Sequence, residues 1–424
     1  MKSILDKIFF RSNNLDYICL NIKKLTKNTP ANKIFDAINS YDSKSEIRYV
    51  GGCIRKIINK ETVDDIDLST NLEPKYICEA LKKKDINYYE TGIKHGTITA
   101  VIDQYKFEIT TLRKDISTDG RHAKVEYSKD WKEDASRRDF TINAIYADRE
   151  GNLFDPYDGK KDLENGFVNF IGDANKRIKE DYLRILRYLR FFLNYSKQPH
   201  SKEVLKNLKI NINGISKLSK DRLLDELKKI LKLETLEKLN KDKSSLDLFS
   251  IIFPELKNIY LFNRLNSYKK NILNKFNFIF LLSLMIVDNT DNTDYFLYKF
   301  NISKKNQKRI RNIYNFYRNK ITSKTFTENN INKVFYYDGK QAALDILNFK
   351  IIHSKKFDKN LKDLAEKYNN KLIPIMPVRA EDLINKYNIV EGKQLGSKLK
   401  LIEDEWVKNN FSISDEQVEY IINN

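Results

Sequence analysis

Cysteine, histidine, proline and glycine are all scarce in this 424-residue chain, at 3, 4, 7 and 13 residues. Cys19, Cys53 and Cys78 have no short paired spacing. That excludes a disulfide framework and a thiolate zinc site, and fits a reducing, cytoplasmic setting. Long apolar runs are missing too. The longest, Phe276 to Val287, is broken by Asn277 and Ser283 and falls far short of the roughly 20 residues that span a bilayer. The amino terminus lacks the apolar core of a signal peptide, so no membrane association is expected. Acidic residues lag behind basic ones, 58 against 77, leaving a formal charge of +19. This favours a polyanionic partner, but Lys, Asn and Ile are abundant throughout, so composition alone is weak support.

Hydrophobic residues make up 41% and aromatics 12%, as in folded globular proteins, and the length suggests about three domains. Ile47 to Val50, Asp65 to Ser69, Thr97 to Ile102 and Lys106 to Leu112 carry β-branched or alternating patterns bounded by turn residues. After about Gly172, apolar residues recur at three- and four-residue steps with few Gly or Pro breaks, which predicts helices almost without interruption. The expected class is α+β: a helical extension over 1–30, a head over 31–171, and helical segments over 172–235, 236–330 and 331–424.

Tyr49-Val50-Gly51-Gly52-Cys53-Ile54-Arg55 reads as a strand, a glycine turn and a helix start. Lacking Cβ atoms, Gly51 and Gly52 let backbone N–H groups approach an anion at a helix amino terminus, and Arg55 adds a guanidinium one turn in. Alone, this is more often a plain strand-to-helix connection. Downstream of it lies Asp64-Asp65-Ile66-Asp67-Leu68. In a strand, Asp65 and Asp67 share one face with ~6.6 Å between their Cα atoms. Two hard oxygen ligands so spaced suit a pair of Mg²⁺ ions about 4 Å apart, which activate an attacking hydroxyl and neutralise a leaving pyrophosphate.

A Gly-Gly turn succeeded by an Asp-x-Asp strand resembles the polymerase-β-like nucleotidyltransferases. Glu108 sits where that superfamily often keeps a third carboxylate; its plain alternative is a surface strand residue. Arg137-Arg138-Asp139-Phe140-Thr141-Ile142-Asn143-Ala144, Asp155-Pro156-Tyr157-Asp158-Gly159 and Glu180-Asp181-Tyr182-Leu183-Arg184-Ile185-Leu186-Arg187-Tyr188-Leu189-Arg190 narrow the likeness. From about 46 to 230 the chain is similar to the bacterial class II CCA-adding enzymes and their poly(A) polymerase relatives; Gly392 to Phe411 resembles their tail more loosely. The resemblance implies a polymerase-β-like head with a small mixed sheet, then an all-helical neck that recognises the base, and a body and tail that bind RNA. It implies catalysis by Asp65, Asp67 and Glu108, the first two holding metal. It implies nucleotide binding by Gly51, Gly52, Arg55, Arg138, Asp139, Asn143, Asp181, Arg184, Arg187 and Arg190, with Arg138 on phosphate, Asp139 on the ribose hydroxyls and Asn143 in support. Arg113-Lys114-Asp115 and Asp119-Gly120-Arg121-His122 match the family's mobile loop, thought to help the switch from C to A. His122 is given no acid–base role.

A template-independent enzyme must read the base with protein. On a helix beginning at Glu180, Asp181 and Arg184 are three residues apart with ~60° between their directions, so they can share one base edge. The carboxylate accepts from an exocyclic amino group and the guanidinium donates to a ring nitrogen, a pattern that cytosine and adenine meet and uracil and guanine invert. Arg187 and Arg190 are each rotated a further ~60°, so Arg190 points roughly opposite to Asp181 and better suits phosphate or framework contacts.

Ser219 to Leu227 resembles a neck-closing helix, with Arg222 and Glu226 at the i,i+4 spacing of an ordinary salt bridge. Ile302 to Lys320 carries Lys304, Lys305, Lys308, Arg309, Arg311, Arg318 and Lys320 with no acid, a candidate polyanion surface or else a solvated basic face. The resulting expectation is a Mg²⁺-dependent enzyme that adds C, C and A to tRNA 3′ ends from CTP and ATP. The alternatives are a poly(A) polymerase, an A-adding member of a split pair, and a noncatalytic RNA-binding protein on the same scaffold. His95-Gly96-Thr97-Ile98-Thr99 looks more like the CCA branch. No paired His-Asp phosphohydrolase signature and no obligate protein partner is evident.

Overall fold

A computed structural model describes residues 2–118, 123–318 and 326–424, and side chains within them from residue 15 onward except at 115–118, 123–124 and 264. The chain forms two compact units, Met1–Glu226 and Leu227–Asn424.

The first unit opens with helices α1 (Lys2–Asn28) and α2 (Ala31–Asn39), then β1 (Ile47–Val50), α3 (Gly52–Ile58), β2 (Ile66–Thr70) and α4 (Pro74–Lys82). Next come β3 (Asn87–Gly92), β4 (Thr97–Ile102), β5 (Tyr105–Thr111), β6 (Arg113–Thr118), β7 (Ala123–Tyr127), α5 (Trp131–Ser136), β8 (Tyr146–Ala147) and β9 (Leu153–Phe154). Strand order in the main sheet is β3-β4-β5-β2-β1-β8-β9. It is a mixed sheet: β2 and β5 run parallel, with Asp67 opposite Glu108, while the other pairs are antiparallel. Period-two alternation drives its packing. Ile98 and Ala100 of β4 are fully buried while Thr97 and Thr99 are only partly so, and Ile66 and Leu68 of β2 turn into the core between Asp67 and its neighbours.

The segment expected to be a loop after Leu112 is instead the antiparallel pair β6–β7, from Arg113↔Tyr127 to Thr118↔Ala123. Residues 119–122, including His122, lie outside the described residues.

Five helices complete the unit: α6 (Gly159–Asn165), α7 (Ala174–Glu180), α8 (Leu183–Tyr195), α9 (Lys202–Asn211) and α10 (Lys220–Ile230), the last crossing the unit boundary. The single helix expected from Glu180 is interrupted. α7 ends at Glu180, Asp181 is extended at φ −152°, ψ 105°, and α8 resumes at Leu183. The Asp181 carboxylate accepts the Leu183 N–H at 3.1 Å, a local bond that competes with helix continuation. The Tyr182 ring lies against Gly214, where a Cβ would come within 2.1 Å of it.

In the second unit all regular elements among the described residues are helical. The long apolar run becomes the helix Phe278–Ile286, capped by Asn277 and buried from Ile279 onward. It is a core helix, and no helix among the described residues is long and apolar enough to cross a membrane. The basic helix Lys304–Arg318 buries Ile310, Ile313, Tyr314 and Tyr317. Three of its six basic side chains face acids: Arg309 donates to buried Asp345 and to Asn277, both at 2.8 Å, Arg311 pairs with Asp294 at 2.6 Å, and Lys308 lies 3.6 Å from Asp338. Lys320 falls outside the described residues. In the helix Lys393–Lys408, Trp406 packs edge-on against Tyr336 and Phe411, and Glu403 accepts the Tyr336 hydroxyl at 3.0 Å.

Candidate active site

The turn between β1 and α3 is set by Gly51, whose φ of +66° is a backbone conformation that L side chains rarely adopt. Its N–H donates to the Ile145 carbonyl at 3.1 Å, which joins the turn to the segment carrying Asn143. A Cβ on Gly52 would stand 4.0 Å from an Asp67 carboxylate oxygen, so the bare backbone of the turn borders that acid. This juxtaposition is the local basis of the site.

Every predicted site residue except Asp65 and Glu108 lines one cavity of about 460 Å³, together with Arg137, Leu183, Phe191 and Arg222. Glu108 faces Asp67 across the parallel β2–β5 ladder. Asp65 is exposed and precedes β2, which begins at Ile66. Burial, and after it the charge of Glu108, pushes the Asp67 carboxyl up to about 6; Asp65 adds to the rise, and Arg138 and Arg55 oppose it. Among the described residues no three acidic, histidine or cysteine side chains converge as a ready-made metal cage. The donor set still fits a hard divalent cation. Two or three carboxylates that repel one another gain from a cation between them, and Mg²⁺ is commonly held by one or two carboxylates with water and substrate phosphates filling the rest.

Around the acids the guanidiniums are positioned by buried partners. Arg138 donates to Asp134 at 3.1 Å, to the Tyr146 hydroxyl at 2.9 Å and to Ser69 of β2 at 3.3 Å. Asp134 is fully buried and also accepts from Arg137 at 2.7 Å and Tyr146 at 2.6 Å. Burial would raise its carboxyl, but Arg138 and Arg137 override this and hold it at about 2. Asp139 accepts from Asn143 at 2.8 Å and Arg187 at 2.6 Å, and those partners hold it at about 2 against its burial. Arg55 is buried, donates to Asn143, and lies over the Phe191 ring at 4.7 Å. Arg190 and Arg187 lie 4.2 and 5.6 Å from the same ring. Burial lowers Arg190, as do its neighbours Arg187 and Arg55, while Glu226 opposes. Three guanidiniums sharing one ring form a pocket suited to an anion.

Asp181 and Arg184, expected to read the base, are brought to this cavity by a different route from the one the spacing suggested. Asp181 sits in the α7–α8 break and accepts Arg222 at 2.7 Å. Arg184, on α8, donates to Glu180 at 2.5 Å and to the Arg177 carbonyl at 2.6 Å. The expected Arg222–Glu226 pairing gives way to tertiary partners: Arg222 reaches Asp181, and Glu226 holds Arg190 at 2.8 Å and lies 3.8 Å from Arg187. Arg137, Leu183, Phe191 and Arg222 in the lining, and Ser69 as a partner of Arg138, are the residues that sequence reasoning missed. Arg137 was visible beside Arg138 in the octapeptide; Phe191 and Ser69 carried no signal beyond apolar and strand patterning.

Residues 47–169 match the poly A polymerase head domain, 201–260 the RNA and SrmB-binding site of polymerase A, and 274–421 tRNA nucleotidyltransferase domain 2. The mitochondrial CCA tRNA nucleotidyltransferase 1 of Mus musculus is 32% identical over 392 residues, 89% of this chain and 86% of the relative. The chain belongs to the CCA tRNA nucleotidyltransferase family. The Homo sapiens member is 46% identical over 189 residues, 44% of either chain, and a CCA-adding enzyme of Staphylococcus haemolyticus is 36% identical over 212 residues, 49% of this chain and 50% of its own. The family's fold recurs in the Bacillus stearothermophilus CCA-adding enzyme solved with CTP, at TM-score 0.69 and 20% identity over 92% of this chain and 95% of that one. The Thermotoga maritima CCA-adding enzyme complexed with tRNA gives TM-score 0.59 and 18% identity over 92% and 94%.

Proposed function

We propose that this chain adds C, C and A in turn to tRNA 3′ ends, using CTP and ATP and releasing pyrophosphate. The observation that carries this reading is the single cavity bordered by the Gly51-Gly52 turn, Asp67, the arginine cluster and the Asp181–Arg184 pair. Family membership supports the same reaction.

In this mechanism Asp65 and Asp67, with Glu108 opposite Asp67 on the neighbouring strand, would hold divalent cations, Mg²⁺ by the preference of hard carboxylate oxygens. Such a cation would supply activation of the attacking hydroxyl and neutralisation of charge on the phosphates. The Gly51-Gly52 backbone and Arg138 receive the triphosphate, and Asp139 with Asn143 borders the sugar. Asp181 accepts the exocyclic amino group of C or A, and Arg184 donates to the adjacent ring nitrogen. The tRNA 3′-hydroxyl oxygen forms the new bond to the α-phosphorus, the α–β phosphoanhydride breaks, and pyrophosphate carries away the electron pair. A base of the wrong pattern leaves buried donors and acceptors unmatched, which costs far more than a misfit of shape. The three free thiols are compatible with work in the cytoplasm.

Purified protein given tRNA that ends before CCA should add only C from CTP alone, and stop after CCA when both nucleotides are present. Unlimited A-tailing of generic RNA would instead identify a poly(A) polymerase, and A addition only after a preformed CC would identify half of a split pair.

A further inference from the structure

We infer that Arg222 is a specificity-determining positioning residue, fixing the Asp181 carboxylate as an oriented acceptor for the amino group of C or A. The inference rests on the base-reading role proposed for Asp181. Asp181 lies outside regular helix, so helix geometry does not aim its side chain. Two donors do. The Leu183 N–H holds Oδ1 at 3.1 Å, and Arg222 Nη2 holds Oδ2 at 2.7 Å. Bonds on different oxygens oppose rotation of the carboxylate about its own axis. An ionised carboxylate has about four lone-pair sites, so each oxygen keeps one for a ligand.

Arg222 reaches this position from α10, beyond the motif that carries Asp181 and Arg184, and its side chain lines the same cavity. With Asp181 only 16% and Arg222 25% exposed, the pair is partly screened from water, where a charge-assisted bond is strongest. Glu226, one turn further along α10, fixes Arg190. One face of α10 therefore contributes a cation to Asp181 and an anion to the arginine cluster. Arg184 needs no such help, because Glu180 and the Arg177 carbonyl already orient it. Asp181 is the reader whose aim depends on a distant side chain. Without Arg222 one of the two bonds that fix the carboxylate is gone, the group can turn about its own axis, and its lone pairs no longer mark the place of the amino group that separates C and A from U and G.

The test is single-nucleotide incorporation into tRNA ending before CCA, comparing the wild type, Arg222→Gln, Arg222→Lys, Asp181→Asn and the double variant Asp181→Asn/Arg222→Gln. Arg222→Gln should lower kcat/KM for CTP and ATP about tenfold, the size of one lost charge-assisted bond, mostly through KM. It should also raise UTP and GTP use relative to CTP and ATP by a similar factor, with Arg222→Lys intermediate. In the Asp181→Asn background the second substitution should change little, because the two residues act as a unit. Equal losses for all four nucleotides, or additive losses in the double variant, would make Arg222 a scaffold residue only and overturn the inference. If Asp181→Asn left base choice unaltered, the base-reading role itself would fail, whatever Arg222 does. Should Arg222→Gln melt below the assay temperature, the base ratio of Arg222→Lys decides between these outcomes.

Discussion

The two units use arginine in opposite ways. In the first, Arg138, Arg187, Arg190 and Arg222 each bind a carboxylate and still border one cavity. In the second, Arg309 and Arg311 sit in a helix whose sequence looks like an open cationic row, yet they close onto Asp345 and Asp294. A run of positive residues becomes a binding surface only where the partners leave donors aimed at open space. In the first unit the carboxylates hold the guanidiniums at the edge of a cavity; in the second they hold Arg309 and Arg311 away from one.

The sharpest way to break this contrast is at the acids. Asp67→Asn should reduce incorporation about a thousandfold, as removal of a metal-holding carboxylate does. Its thermal midpoint should hold or rise, because the native carboxyl is pushed up to about 6 and the neutral amide relieves that repulsion. Single-turnover incorporation alongside a melting curve checks both halves; retained activity would remove Asp67 from the chemistry.

Next in size, Asp134→Ala removes the buried acceptor shared by Arg137, Arg138 and Tyr146. Leaving buried charges unpaired should cost about 4 kcal/mol in chemical denaturation. Arg309→Gln should cost about 3 kcal/mol by stranding Asp345, which is fully buried, while the salt dependence of tRNA binding stays as it was. Lys304→Ala with Lys305→Ala, both at exposed positions, should do the reverse: stability is kept and the slope of log affinity against log salt shrinks by about 1 to 2. A smaller slope for Arg309→Gln would mean that the second unit's arginines are not quenched.

The smallest effect is a pH dependence in the second unit. Burial, with Lys269 and Lys350 adding to it, depresses His353 from 6.5 to about 4, opposed by a backbone bond to Leu284. Between those values the unfolded chain binds the proton and the folded one does not, so stability is full above about 6.5 and falls as the pH drops to about 4. The loss should be at most about 3 kcal/mol, and His353→Gln should abolish that part of it in denaturation curves across this range.

Strands were the most legible part of the sequence. Ile47–Val50 and Thr97–Ile102 appear with the bounds their alternating patterns suggest, because a half-buried strand writes its period directly into the residues. β6 and β7 were hidden, since Arg113, Lys114 and Asp115 look like a polar loop until the cross-strand partner is known. The break at Asp181 was also out of reach. It goes with the Asp181 carboxylate accepting the Leu183 N–H and with Gly214 receiving the Tyr182 ring, and the second of these joins positions over thirty residues apart. Arg222 follows the same rule: helix spacing names Glu226, and a tertiary carboxylate, Asp181, wins. The residues that gather at the cavity were legible as motifs, but the bonds that orient them were not.

The parallel pairing of Asp67 with Glu108 constrains which insertions and deletions the head can survive. Between these acids the chain makes α4, β3 and β4, and turns there can lengthen or shorten as long as the two strands still align. A single codon lost between Tyr105 and Glu108 is another matter: it would bring Ile109 to the place of Glu108 and swap the inward and outward sides of the remaining strand residues. Drift in this head should therefore accumulate in its connections and stop abruptly at β5.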